Sequence, residues 1–137
     1  MTAYVLIASQ SVATVNLVKE ATDGRDYQVI PTTSSSLALF LSQKNLPDII
    51  LCEGNLADGT GIDLLKETKA DPELKSIPFV FLCPSKDLAE LSRKTAGLGV
   101  DDVIALPIEP GNLLREIIPH VHRRLSTKET REPETPE

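Results

Sequence analysis

The sequence predicts an α/β fold: one doubly wound sheet of five parallel strands, order 2-1-3-4-5, with helices on both faces. Three observations predict it. Short apolar runs alternate with helical patterns five times between Tyr4 and Val121, the mark of a parallel sheet covered on both sides. The run from Pro78 to Cys83 is apolar without alternation, as in a strand buried on both faces. Right-handed crossovers then leave few topologies, and this order is the common one.

Each element has local support. Tyr4 to Ala8 is an apolar run ended by Ser9-Gln10-Ser11. Ser11 is placed to cap a helix to about Thr22, with Val12, Val15, Leu17, Val18 and Ala21 facing inward, and Asp23-Gly24 breaks it. Tyr27 to Ile30 alternates more than the other runs and suits an edge strand. Thr33 or Ser34 opens a second helix with Leu37, Phe40 and Leu41 on one face. Asp48 to Cys52 is the third strand. Ile62 to Ala70 is the third helix, ended by Asp71-Pro72 because proline disfavours helix at the residue before it. After the fourth strand, a helix spans Lys86 to Ala96 and stops at Gly97 and Gly99. Val103 to Leu106 is the fifth strand. Glu109-Pro110 starts the last helix, where the missing proline N–H costs nothing. Pro119 inside it predicts a kink or an early end. Residues 126–137, STKETREPETPE, have no large apolar residue and two prolines, so a domain over 1–125 followed by a disordered tail or linker is expected.

Composition narrows the function. A net charge of −6 argues against a nucleic-acid or anionic-membrane binder, since both need clustered Lys and Arg. No apolar stretch approaches the roughly 20 residues of a membrane helix. The start, MTAYVLIASQ, lacks a basic region and a small-residue cleavage site. The two cysteines, Cys52 and Cys83, sit in apolar runs rather than a spaced framework, so a reduced, cytoplasmic home is expected.

The most informative stretch is 47–66, PDIILCEGNLADGTGIDLLK. A buried strand ends at a lone acid, Glu53, followed by a glycine-containing loop and a helix. Open α/β sheets place their chemistry at such a crossover. This stretch, with SIPFVFL and GVDDVIALPIEPGNLL, resembles the framework of response-regulator receiver domains, across residues 3 to about 124. The resemblance implies the flavodoxin-like order and a role in two-component, or phosphorelay, signalling. It also implies a cis-favouring junction before Pro107.

The chemistry positions depart from that family. Receivers phosphorylate an aspartate with the aid of Mg²⁺. The resemblance places Glu53 at the acceptor, Ser9 and Gln10 at the metal-holding acidic pair, and Cys83 at the phosphoryl-gripping hydroxyl. Leu106 falls at the lysine and Val103 at the switch aromatic. Mg²⁺ wants hard anionic oxygens in a near-octahedral shell, and an amide, a hydroxyl and one carboxylate are a poor set. The extra methylene of Glu53 moves its oxygens by about 1.5 Å, where misplacement of ~1 Å can cost a hundredfold. No cation replaces the lysine to neutralise a transferring phosphoryl group. A pseudo-receiver is therefore expected: no catalytic residue, no cofactor, weak or absent Mg²⁺ binding, and action through protein contacts.

The resemblance implies partners: a histidine kinase, an output domain, or a second copy meeting the last two helices and fifth strand, around Leu88, Leu91, Arg93, Lys94, Arg115 and Arg123. One alternative is a working phosphoacceptor fed by a histidine kinase. Another is a small flavin or anion binder, since Ser9, Ser11 and Thr14 follow the first strand as hydroxyls do in a phosphate loop. Glu53 has a plainer reading too, as a strand-end carboxylate satisfying loop N–H groups. A Cys52/Cys83 redox pair is disfavoured because alternation is expected to point them apart. His120 and His122, two apart on a helix, do not share a face, and His122-Arg123-Arg124 would complement the negative end of the last helix.

Overall fold

A computed structural model describes residues 2–131, with side chains described as far as residue 126. The sheet contains β1 (Ala3–Ala8), β2 (Tyr27–Thr32), β3 (Ile49–Glu53), β6 (Phe79–Pro84) and β7 (Asp102–Leu106). Their spatial order is β2-β1-β3-β6-β7, all parallel. This is the expected order 2-1-3-4-5 with a short hairpin, β4 (Asn55–Leu56) and β5 (Gly59–Thr60), inserted after β3.

The helices are α1 (Val12–Thr22), α2 (Ser35–Asn45), α3 (Gly61–Ala70), α4 (Leu88–Thr95) and α5 (Pro110–Arg131). Hydroxyls start the first three. Ser11, Ser34 and Thr60 each accept a hydrogen bond from a backbone N–H three residues on, at Thr14, Leu37 and Asp63, which satisfies a donor the helix cannot. Single 3₁₀ turns, Ser85–Asp87 and Ala96–Leu98, flank α4, which is shorter than expected. Gly99 follows at φ +89°, a conformation that favours glycine.

Two apolar layers sandwich the sheet. One unites Val5, Ile7, Leu51 and Leu82 with Val18 of α1 and Leu113, Ile117 and Val121 of α5. The other unites Leu6, Ile50, Phe79 and Phe81 with Ala38 of α2 and Leu64 and Leu65 of α3. Three expected core positions are instead exposed: Val12 by 74%, Leu37 by 46% and Phe40 by 54%. Val12 is the first residue of α1. On α2, the small residues Ser35, Ala38 and Ser42 face inward. They let the helix sit close to its neighbours and turn Leu37 and Phe40 outward.

Pro119 does not end α5, which continues to Arg131, past the boundary expected at 125/126. The expectation for 132–137 lies outside the described residues. His122, Arg123 and Arg124 therefore sit within the helix rather than at its end. Arg123 reaches Asp101 at 3.5 Å and His120 at 3.1 Å, and His120 meets Asp102 at 3.4 Å. Arg124 is buried and donates to the Ser76 hydroxyl at 2.8 Å. Asp101 also accepts from the Phe79 N–H at 2.8 Å and pairs with Lys69 at 3.4 Å, so Asp101, just before β7, and Asp102, its first residue, tie this strand to α3, β6 and α5.

A Cβ on Gly61 would stand 2.5 Å from the Glu53 carbonyl oxygen and 2.7 Å from the Phe81 ring. Gly61→Ala is expected to cost about 1–3 kcal/mol in urea unfolding; an unchanged midpoint would contradict this packing. Asp58, between β4 and β5, accepts from the Ser35 N–H at 2.5 Å, the Ser36 hydroxyl at 2.8 Å and the Ser36 N–H at 3.2 Å. These bonds, the Ser35 N–H first, hold its carboxyl below the ordinary 3.8. A lowered folded value gives stability that is complete above the unfolded value and is lost as pH falls through the folded one. The gap in urea midpoint between the native protein and Asp58→Asn should narrow from about pH 5 to pH 2. A gap independent of pH would refute this.

Candidate functional site

Register builds the site. β1 pairs with β3 from Val5↔Ile49 to Ala8↔Cys52, so the next step brings Ser9 level with Glu53. β3 pairs with β6 through Glu53↔Leu82, which sets Cys83 one residue beyond. The carboxyl ends of three strands thus deliver Ser9, Glu53 and Cys83 to one edge of the molecule.

Glu53 turns toward α1. Its Oε1 accepts from the Ser9 hydroxyl at 2.5 Å and its Oε2 from the Thr14 hydroxyl at 2.8 Å. Both oxygens are engaged by neighbours of low exposure, since Ser9 and Thr14 are buried. The plainer expectation of loop N–H partners is therefore corrected: hydroxyls hold the carboxylate. Sequence patterning does not reveal Thr14 as a partner of Glu53, because that contact needs the β1–β3 register and the first turn of α1 together. Its spacing from Ser9 was the available signal. Ser9 also accepts from the Ser11 N–H at 2.9 Å, which ties the loop to the start of α1.

Gln10 and Cys83 line one cavity with Glu53, while Leu106 and Val103 pack into the apolar layers. Gln10 donates its side-chain amide to the Asn55 carbonyl at 3.4 Å. Leu106 is half-buried and packs on the layer of α1 and α5, and the Leu106–Pro107 peptide is cis. Val103 is half-buried against the opposite layer, beside Phe81 in register. Cys83 is buried, and burial, with the nearby Asp87 carboxylate adding to it, pushes its thiol up. Burial pushes the Cys52 thiol up as well, with Glu53 contributing, and its Sγ contacts the Glu53 carbonyl at 3.1 Å.

The two cysteines do not point apart as expected. Cys52 is level with Phe81, and Cys83 lies two residues beyond Phe81, so alternation puts both on one face. Strand spacing and rise place their Cα atoms roughly 8 Å apart, beyond the span of a disulfide, and both are free thiols.

Beside Glu53 lies an open cavity of about 720 Å³. Ile62, Cys83, Pro84 and Leu91 supply apolar wall, and Glu53, Asp87, Glu90 and Lys94 supply charge. Lys94 pairs with Glu90 at 3.1 Å. The Lys94 hydrogen bond and charge hold the Glu90 carboxyl below its usual range. Of the surface residues expected at the last helices, Leu91 lines this cavity and Arg115 bonds Asn112 on its own helix.

The hydroxyl clasp is testable by a mutant cycle. Ser9→Ala should cost about 1–3 kcal/mol, because it strips a partner from a part-buried carboxylate. In a Glu53→Ala background the same change should cost much less. Equal costs in both backgrounds would show that the clasp contributes nothing.

Comparisons with known proteins agree with the architecture. The family model described as response regulator receiver domain matches residues 5–118. The polar-differentiation response regulator DivK of Brucella ovis is 27% identical over 117 residues, spanning 85% of this chain and 94% of that protein. A candidate response regulator from Chloroflexus aurantiacus is 25% identical, with a TM-score of 0.83, covering 90% of this chain and all of that one. The Vibrio cholerae chemotaxis response regulator CheY4 superposes with a TM-score of 0.79 at 22% identity, over 88% of this chain and 99% of its own. With the same sheet order and the strand-end acid of β3 in place, the chain belongs to the response regulator receiver domain family of two-component signalling.

Proposed function

We propose that this receiver domain is a pseudo-receiver, which signals through protein contacts without phosphorylation and is not itself an enzyme. The observation that carries the reading is the pair of hydroxyl bonds on Glu53. Attack on phosphorus needs a carboxylate oxygen aimed at the incoming phosphoryl group. Each Glu53 oxygen keeps a second lone pair, but the two hydroxyl bonds turn the carboxylate toward α1. Here one oxygen serves Ser9 and the other Thr14.

The residues present do not fit Mg²⁺. The ion needs several hard oxygens in octahedral array. Ser9 spends its hydroxyl on Glu53, and Gln10 points its amide at Asn55. Among the described residues no unpaired cation lines the cavity to clamp a phosphoryl group: Leu106 packs into the apolar layer, and Lys94 is paired with Glu90. Both losses favour the pseudo-receiver over the working phosphoacceptor. The flavin or anion reading is weaker on the same ground, because the Ser9 and Thr14 hydroxyls already hold an internal anion. Partners are proposed as other signalling proteins or domains, with action in the cytoplasm. No helix among the described residues is long and apolar enough to cross a membrane.

Incubation with acetyl phosphate and Mg²⁺, read by intact-protein mass, tests the proposal. The expected outcome is an unchanged mass. A stoichiometric phosphoryl adduct mapped to Glu53 would establish the working phosphoacceptor instead.

A further inference from the structure

The cavity beside Glu53 carries an unbalanced charge. Of its three carboxylates, Glu53 is held by hydroxyls and Glu90 by Lys94. Asp87 is half-buried at the start of α4, makes no capping bond, and has no hydrogen-bond or ion-pair partner among the described residues. It stands over apolar wall from Ile62, Cys83 and Leu91. Its charge is felt there, since it helps push the buried Cys83 thiol up.

We propose that this cavity receives a lysine or arginine side chain, flanked by apolar residues, from a partner protein. The proposal rests on the reading that the domain works by protein contact, and it names the chemistry of the partner. A surface closing over the cavity removes Asp87 from water. Without a cation this leaves an unpaired buried carboxylate, at a heavy cost. A basic side chain meets both demands at once: its aliphatic stem covers the apolar wall while its head pairs with Asp87. An acidic or phosphorylated segment meets three carboxylates and one lysine already engaged.

The test uses two capped tripeptides, acetyl-Leu-Arg-Leu-amide and acetyl-Leu-Glu-Leu-amide, titrated into the whole chain and followed by amide NMR. The arginine peptide should give saturable shifts at Ile62, Cys83, Asp87 and Leu91, and the glutamate peptide none. Asp87→Asn should weaken the arginine peptide by about fivefold or more, as loss of a desolvated charge partner does. Glu116→Gln, on exposed α5 surface, should leave binding unchanged. Absence of arginine-dependent shifts, or equal shifts with both peptides, overturns the cavity proposal; if acetyl phosphate also leaves the mass unchanged, the pseudo-receiver reading stands. A phosphoryl adduct at Glu53 overturns both, since the cavity would then accept an anion.

Discussion

The parallel register of β1 on β3 is the constraint from which the site follows. Val5 lies level with Ile49 and Ala8 with Cys52, and a slip by one residue would turn every side chain of the strand to the other face. Both strands are buried on both sides, so their apolar residues hold that register firmly. Once it is fixed, Ser9 must emerge beside Glu53, and the first turn of α1 must bring Thr14 to the same carboxylate. The extra methylene of glutamate has a use in this arrangement. It carries the carboxylate across to the hydroxyls on the α1 side.

That clasp does structural service where the family's pattern places chemistry. It joins β3, the β1–α1 loop and α1 through one anion, in a part-buried setting where each bond counts for more than on the surface. The departures elsewhere are consistent with it. Leu106 adds apolar packing against α1 and α5, and Cys83 adds a small buried hydrophobe under the cavity. At these two positions, where the resemblance implies a polar group for phosphate, the chain carries apolar packing instead.

Much of the fold was legible in the residues. The continuous run at 78–83 announces a central strand, and Ser11, Ser34 and Thr60 are hydroxyls that capping physics recognises. The facing of α2 was not legible, because its large residues and its small ones form rival stripes. Close packing chose Ala38 and Ser42 for the inside. Pro119 misleads for a related reason: apolar residues on both sides of it, Leu113 to Val121, hold the helix to the sheet across the lost hydrogen bond. At the site, the acid was visible and its partners were not, since a hydrogen bond between residues 39 and 44 positions apart depends on register. The side shared by Cys52 and Cys83 needed the β3–β6 offset in the same way.

The Glu53 carboxylate accepts from two hydroxyls, and the proposed pseudo-receiver would take no Mg²⁺ through it. The most direct measurement is an NMR titration with MgCl₂ that follows the Glu53 side-chain carboxyl carbon and the Ser9 and Thr14 amides. The account predicts resonances that stay in place through millimolar Mg²⁺. A saturable shift centred on Glu53, with loss of the Ser9 and Thr14 contacts, would contradict it.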